Sequence, residues 1–169
     1  MSGTKGIAMS LDDDIAFLER VPTLALLGRS ALRILAIGAE ARNVPSGAVL
    51  FYAGDLADGG YVVQEGSFLL EADRFGKNND EGLAGPGALL GELALITDTV
   101  RTVTATAQES SVVIRIPRSL FLKMLEGYPE AARALREAMA ARVGDWAAGL
   151  AGVKAKLESS LKKESDAAG

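Results

Sequence analysis

Apolar residues along the chain follow two different rhythms, and the change between them divides it. After Ser10, a residue type that caps helix N-termini, apolar side chains recur at Leu11, Ile15 and Leu18 with acidic residues in the first turn, predicting a short helix. Residues Leu24 to Ile37 keep a helical period, but their apolar positions are too crowded for an exposed face, so a second helix packed on the core is expected. From Glu40 the rhythm shortens. Apolar runs are cut by Pro45-Ser46-Gly47, Ala53-Gly54-Asp55, Asp58-Gly59-Gly60, Glu65-Gly66, Lys77-Asn78-Asn79-Asp80 and Gly85-Pro86-Gly87. Turn signals at such regular intervals indicate a compact β unit, with strands over Ala48–Tyr52, Tyr61–Gln64, Ser67–Glu71, Val103–Ala107 and Val112–Ile116.

Helical spacing returns over Arg118–Leu125, and Pro129 stands where the first residue of a last helix would place it. That helix is expected to reach about Leu161. Met139, Val143, Trp146, Leu150, Val153 and Leu157 alternate spacings of four and three, with Leu161 four further on, which makes a heptad seam. A seam of this length suits a second copy of itself, so a homodimer is expected; one helix lying along the β unit is the competing arrangement. The pattern therefore predicts an α+β fold class: N-terminal helices and a compact β unit, sandwich or barrel, with an inserted helix over residues 1–128, and a long helix with a polar tail over residues 129–169.

Composition narrows the function. The chain has 169 residues, a net charge of −4, and neither Cys nor His. Without those two residue types there are no disulfides, no thiolate or imidazole metal ligands and no His-based catalysis, so no metal or cofactor is expected. GxSxG and P-loop motifs are missing as well, which argues against an enzyme. A cupin-like metal barrel fails for want of histidine. No Lys/Arg-rich run offers the footprint that phosphate backbones require, so nucleic acid is not an expected partner. No apolar stretch approaches a membrane span, and MSGTKGIAMSLDDD lacks the layout of a secretory signal, so a cytoplasmic location is expected.

The chemistry concentrates between Gly85 and Thr104. Gly91-Glu92-Leu93-Ala94-Leu95-Ile96 reads as a tight glycine followed by about one turn of helix inserted between strands, whose first N–H groups lack intrahelical partners and suit an anion. Gly91 permits a close backbone approach, and Arg101 lies across a short loop. Glu92 would repel a bare phosphate but accepts hydrogen bonds from a neutral hydroxyl. One phosphate beside one hydroxyl satisfies all three groups. A surface pair between Glu92 and Arg101 is the plainer alternative.

Gly91 to Ile96 followed by Arg101-Thr102, nine positions after Glu92, resembles the phosphate-binding cassette of the cyclic-nucleotide-binding domain family. Pro45-x-Gly47, Gly54-Asp55, Tyr61-Val-Val-x-x-Gly66 and Gly85-Pro-Gly87 extend the resemblance in order over roughly Val21 to Trp146. It implies that the β unit is an antiparallel β-roll, a jelly-roll-like double-stranded barrel, and that the chain is a receptor for cAMP or cGMP in which Arg101 pairs with the cyclic phosphate and Glu92 binds the ribose 2′-hydroxyl. Gly91, Leu93 and Ala94 would supply backbone contacts, and Thr102 would touch the phosphate or a guanine amino group. Leu70 and Gly82 fall at base-pocket positions, and Arg142 or Trp146 at the lid. Trp146 also lies on the seam, so packing competes with base stacking there, and Arg142 also reads as a solvated helix residue. Val103 departs from the small residue usual in the family and would narrow the pocket. The implied output is a shift of the final helix read by an effector protein the sequence does not name. Nothing resembling a DNA-binding helix pair precedes Gly169, so direct DNA binding is not expected. A structural dimerisation module with a vestigial pocket is the alternative function.

Overall fold

The computed structural model describes residues 10–72, 82–142 and 158–159. The chain divides into two units, residues 1–132 and 133–169. In the first, helix α1 (Leu11–Leu18) opens on the expected cap: the Ser10 hydroxyl accepts the Asp13 N–H, and the Asp13 carboxylate accepts the Ser10 N–H, both at 3.2 Å. Ile15 and Leu18 turn inward. The helix expected over Leu24–Ile37 is broken. Short α2 (Pro22–Ala25) ends before Leu26, and α3 (Arg29–Gly38) restarts after Gly28, whose φ of 85° stops helix propagation even though the apolar spacing runs on across it.

Ten antiparallel strands follow among the described residues: β1 (Glu40–Val44), β2 (Val49–Phe51), β3 (Leu56–Ala57), β4 (Gly59–Glu65), β5 (Phe68–Ala72), β6 (Gly82–Ala84), β7 (Leu89–Leu90), β8 (Thr99–Val100), β9 (Val103–Ala107) and β10 (Ser111–Pro117). They form two four-stranded sheets, ordered β1-β10-β4-β7 and β2-β9-β5-β6, with a β3-β8 ribbon. This is the expected β-roll. Its hydrogen bonding stays within separate sheets and does not close into a barrel among the described residues. The five expected strands are present with ends shifted by up to two residues, while β1, β3, β6, β7 and β8 carry too short or too polar a pattern to be read as strands.

Strand β9 shows how sequence makes the roll: Val103, Ala105 and Ala107 are buried, alternating with half-buried threonines. Its small side chains make room for Phe51 and Phe68, which share one core with Val44, Tyr61, Val63, Ala84, Leu90 and Val113. Val62, Ile114 and Ile116 alternate with members of that core along β4 and β10 and are buried too. Helix α4 (Arg118–Gly127) buries Phe121 and Met124, and Leu120 approaches α3 so closely that a Cβ on Gly38 would stand 2.7 Å from it. Helical residues 129–142 come next. Of the expected seam, Met139 is half-buried, whereas Val143, Trp146, Leu150, Val153, Leu157 and Leu161 lie outside the described residues. Among the described residues no helix is long and apolar enough to cross a membrane.

Candidate functional site

Between β7 and β8 the chain makes the expected single turn, as a 3-10 helix over Glu92–Leu95. Gly91 caps it with φ of 79°, a left-handed conformation in which a side chain is strained. Its first intrahelical bond runs from the Ala94 N–H to the Gly91 carbonyl at 3.0 Å, so the N–H groups of Glu92 and Leu93 precede it. Ala94 and Leu95 are buried beneath this turn, Glu92 is half-buried and Leu93 exposed. Leu95 and the Gly91 carbonyl crowd Gly60 of β4, where a Cβ would meet them at 3.2 and 3.4 Å.

Arg101 is 6% exposed. Its backbone is pinned on both sides by the Gly54-Asp55 turn: the Gly54 N–H donates to the Arg101 carbonyl and the Arg101 N–H to the Asp55 carbonyl, each at 2.7 Å. The Asp55 carboxylate in turn accepts the Tyr52 N–H at 2.9 Å, which holds the turn itself. The side chain runs inward over the Phe51 ring, 4.5 Å from guanidinium carbon to centroid, and over Tyr61 at 5.4 Å; the two rings stack at 5.9 Å. Nη2 donates to the Gly59 carbonyl at 2.8 Å. Nη1 is buried with no hydrogen-bond partner. It lies against Gly91, where any Cβ would overlap it.

Burial holds the Arg101 guanidinium below its ordinary pKa, opposed by Tyr61, Asp58 and Asp55, with Arg115 acting in the same sense as burial. Arginine nevertheless stays protonated in proteins, so the core carries a cation with one unsatisfied donor. An unpartnered buried charge is costly, and the cost is removed by an anion brought to it. Arg101 at this depth is no member of a surface ion pair.

The remaining sequence candidates distribute as follows. Leu70 and Gly82 are register partners across β5 and β6, and Leu70 packs on the core that contains Phe51, Tyr61 and Val103. Val103 is buried in that core, opposite Ala72 of β5, while Thr102 is exposed. Arg142 is an exposed helical residue of the second unit, and Trp146 lies outside the described residues. Among the described residues no cluster of carboxylates has the makings of a metal site. Sequence reading missed the Phe51/Tyr61 cradle and the Gly59 carbonyl. Both aromatics fall in expected strands, but the pattern along one strand does not say which residue of another strand it will face.

The sequence profile of the cyclic nucleotide-binding domain matches residues 41–128. A solved cyclic nucleotide-binding-like protein from Brucella abortus is 38% identical, with a TM-score of 0.58 over 68% of this chain and 99% of that one. An uncharacterized NTE family protein of Mycobacterium tuberculosis is 36% identical over 123 residues, 73% of this chain. A cyclic AMP receptor protein of Thermus thermophilus is 30% identical over 62% of this chain and 49% of its own. The chain spans only 21% of the length of the mycobacterial relative.

Proposed function

The chain belongs to the cyclic nucleotide-binding domain family, and from that premise we propose that it is a receptor module for cAMP or cGMP, regulatory rather than catalytic. Arg101 takes the cyclic phosphate, and Glu92 accepts a hydrogen bond from the ribose 2′-hydroxyl. Backbone groups of Gly91, Leu93 and Ala94 border the sugar and phosphate, and Thr102 stands beside the arginine. Leu70 and Gly82 offer the base a wall continuous with the roll core, in which Val103 sets the width. The observation that carries this reading is the buried, unpartnered Nη1 of Arg101 against Gly91. A phosphate oxygen at that atom completes the hydrogen bonding of a charge the fold already holds in place.

The roles of Arg142 and Trp146 as lid and the coupling of binding to movement of the final helix, read by an effector protein, are proposed on the resemblance, homodimerisation on the heptad seam, and a cytoplasmic location on the composition of the chain. Calorimetric titration with cAMP, cGMP and 2′-deoxy-cAMP tests the site. Loss of the hydroxyl removes a hydrogen bond to a carboxylate, about 1.5–3 kcal/mol, so 2′-deoxy-cAMP should bind roughly 10- to 100-fold more weakly. Equal affinity of the deoxy compound would remove Glu92 from the site, and no heat with any of the three would leave a dimerisation module.

A further inference from the structure

Among the described residues two carboxylates, those of Asp58 and Asp55, lie within electrostatic reach of the Arg101 guanidinium and favour its charge. Either would be a natural partner for the buried Nη1, which has none. Each is engaged elsewhere. The Asp55 carboxylate accepts the Tyr52 N–H at 2.9 Å inside its own turn, and the Asp58 carboxylate accepts from Arg115 Nη2 at 2.7 Å. The first is held by a backbone group, the second by a side chain alone.

The backbone at Asp58 is pinned. Its carbonyl accepts the Arg118 N–H at 2.7 Å, and the carbonyl of the next residue, Gly59, accepts from Arg101 Nη2 at 2.8 Å. A Cβ on Gly59 would overlap the Ile116 carbonyl, so the segment is wedged against the end of β10. What remains able to turn is the Asp58 side chain, which is 69% exposed. Arg115 is fixed by comparison. It lies within β10, two residues beyond buried Val113 and on the same face, with Glu40 and Tyr61 opposite it on the neighbouring strands. It thus stands beside the ring over which Arg101 runs, and its side chain is only 17% exposed. An aspartate next to the residue that binds one guanidinium, and itself bound to a second, has two cations within its range.

We propose that Arg115 is a positioning residue that keeps the nucleotide site open by holding the Asp58 carboxylate away from Arg101. This rests on the receptor reading. Without Arg115, Asp58 turns to Arg101 and takes the place of the ligand phosphate, since carboxylate and phosphate oxygens satisfy the same buried donor. Nucleotide must then displace a tethered competitor, and its apparent affinity falls with the fraction of molecules in which that donor is free. The pair of Arg115 and Asp58 is neutral as a unit, which leaves the charge of Arg101 to be met by a ligand. A pair that only tied β10 to the start of β4 would have no effect on nucleotide affinity that removing Asp58 could reverse.

A double-mutant cycle on the full chain, read by calorimetric titration with cAMP, tests this. Arg115→Met should weaken binding about tenfold or more, and Asp58→Asn alone should stay within about threefold of the parent. Arg115→Met combined with Asp58→Asn should return to within about threefold of the parent, because the competitor is gone. Three results overturn the proposal. Parental affinity in Arg115→Met shows that Asp58 does not compete. A double variant as weak as Arg115→Met shows that Arg115 serves the ligand or the strand directly. Tightening by Asp58→Asn equal to the weakening by Arg115→Met shows two side chains acting independently through their charges. Should Arg115→Met not unfold cooperatively in urea, Arg115→Gln, of similar length and uncharged, takes its place in the cycle and is judged by the same three results. No binding by the parent at millimolar cAMP is a separate result, which overturns the receptor reading and the proposal with it.

Discussion

Gly91→Ala is the sharpest probe of how the cassette is built. Gly91 combines two requirements: a φ of 79°, and a Cβ position already filled by Arg101 Nη1. The left-handed conformation alone costs an L residue about 1–2 kcal/mol. The overlap is with the end of an arginine held by the Gly59 carbonyl and two aromatic rings, so the guanidinium must leave that position. Losing its charge-assisted hydrogen bond adds about 1.5–3 kcal/mol, partly recovered as the side chain finds water, which gives a net destabilisation of about 3 kcal/mol. Gly47→Ala is the control, because φ there is 83° with nothing within 4 Å of the added Cβ, and Gly47 lies at the opposite end of β2 from the turn that pins Arg101. That variant should lose about 1–2 kcal/mol in urea unfolding and keep its cAMP affinity within about twofold. Gly91→Ala should lose more stability and, with the phosphate partner displaced, about 100-fold or more in affinity. Parental affinity in Gly91→Ala, or equal losses of affinity in the two variants, would refute the close approach of Gly91 and Arg101 as the basis of the site.

Phe51→Leu keeps an apolar side chain but removes the ring under Arg101; losing a cation–π contact of about 0.5–1 kcal/mol should weaken cAMP binding about two- to fivefold by calorimetry, whereas no change would show that the ring only fills space. Asp14 tests pH linkage. Burial, then the neighbouring Asp13, raises its pKa from 3.8, so the folded chain binds this proton more tightly than the unfolded one and stability contributed by Asp14 is lost as pH rises through its folded value. Asp14→Asn should therefore unfold at higher urea than the parent at pH 7 and lose that advantage below pH 3.8; a lower midpoint at pH 7 would contradict the assignment.

What was legible in the sequence was local. Ser10 with Asp13 announces a capped helix, the glycine turns space the strands, and Gly91, Glu92 and Arg101 announce the cassette, because each depends on neighbours a few positions away. The break in the second helix was hidden because apolar spacing continues across Gly28, whose backbone conformation interrupts it. The cradle under Arg101 was hidden for a different reason: Phe51 and Tyr61 belong to strands of different sheets, and only the closing of the roll brings them under one guanidinium.

Arg101 is the centre of the proposed site, a buried cation completed by a ligand phosphate. Calorimetric titration of cAMP into the parent and into Arg101→Met, which keeps an apolar stem over Phe51 and Tyr61, tests that most directly. Saturable heat is expected in the parent, and a loss of about 3–5 kcal/mol of binding free energy, about 100- to 4,000-fold in affinity, in a variant that still unfolds cooperatively. Binding of equal strength in Arg101→Met, or none to the parent at millimolar nucleotide, would contradict it.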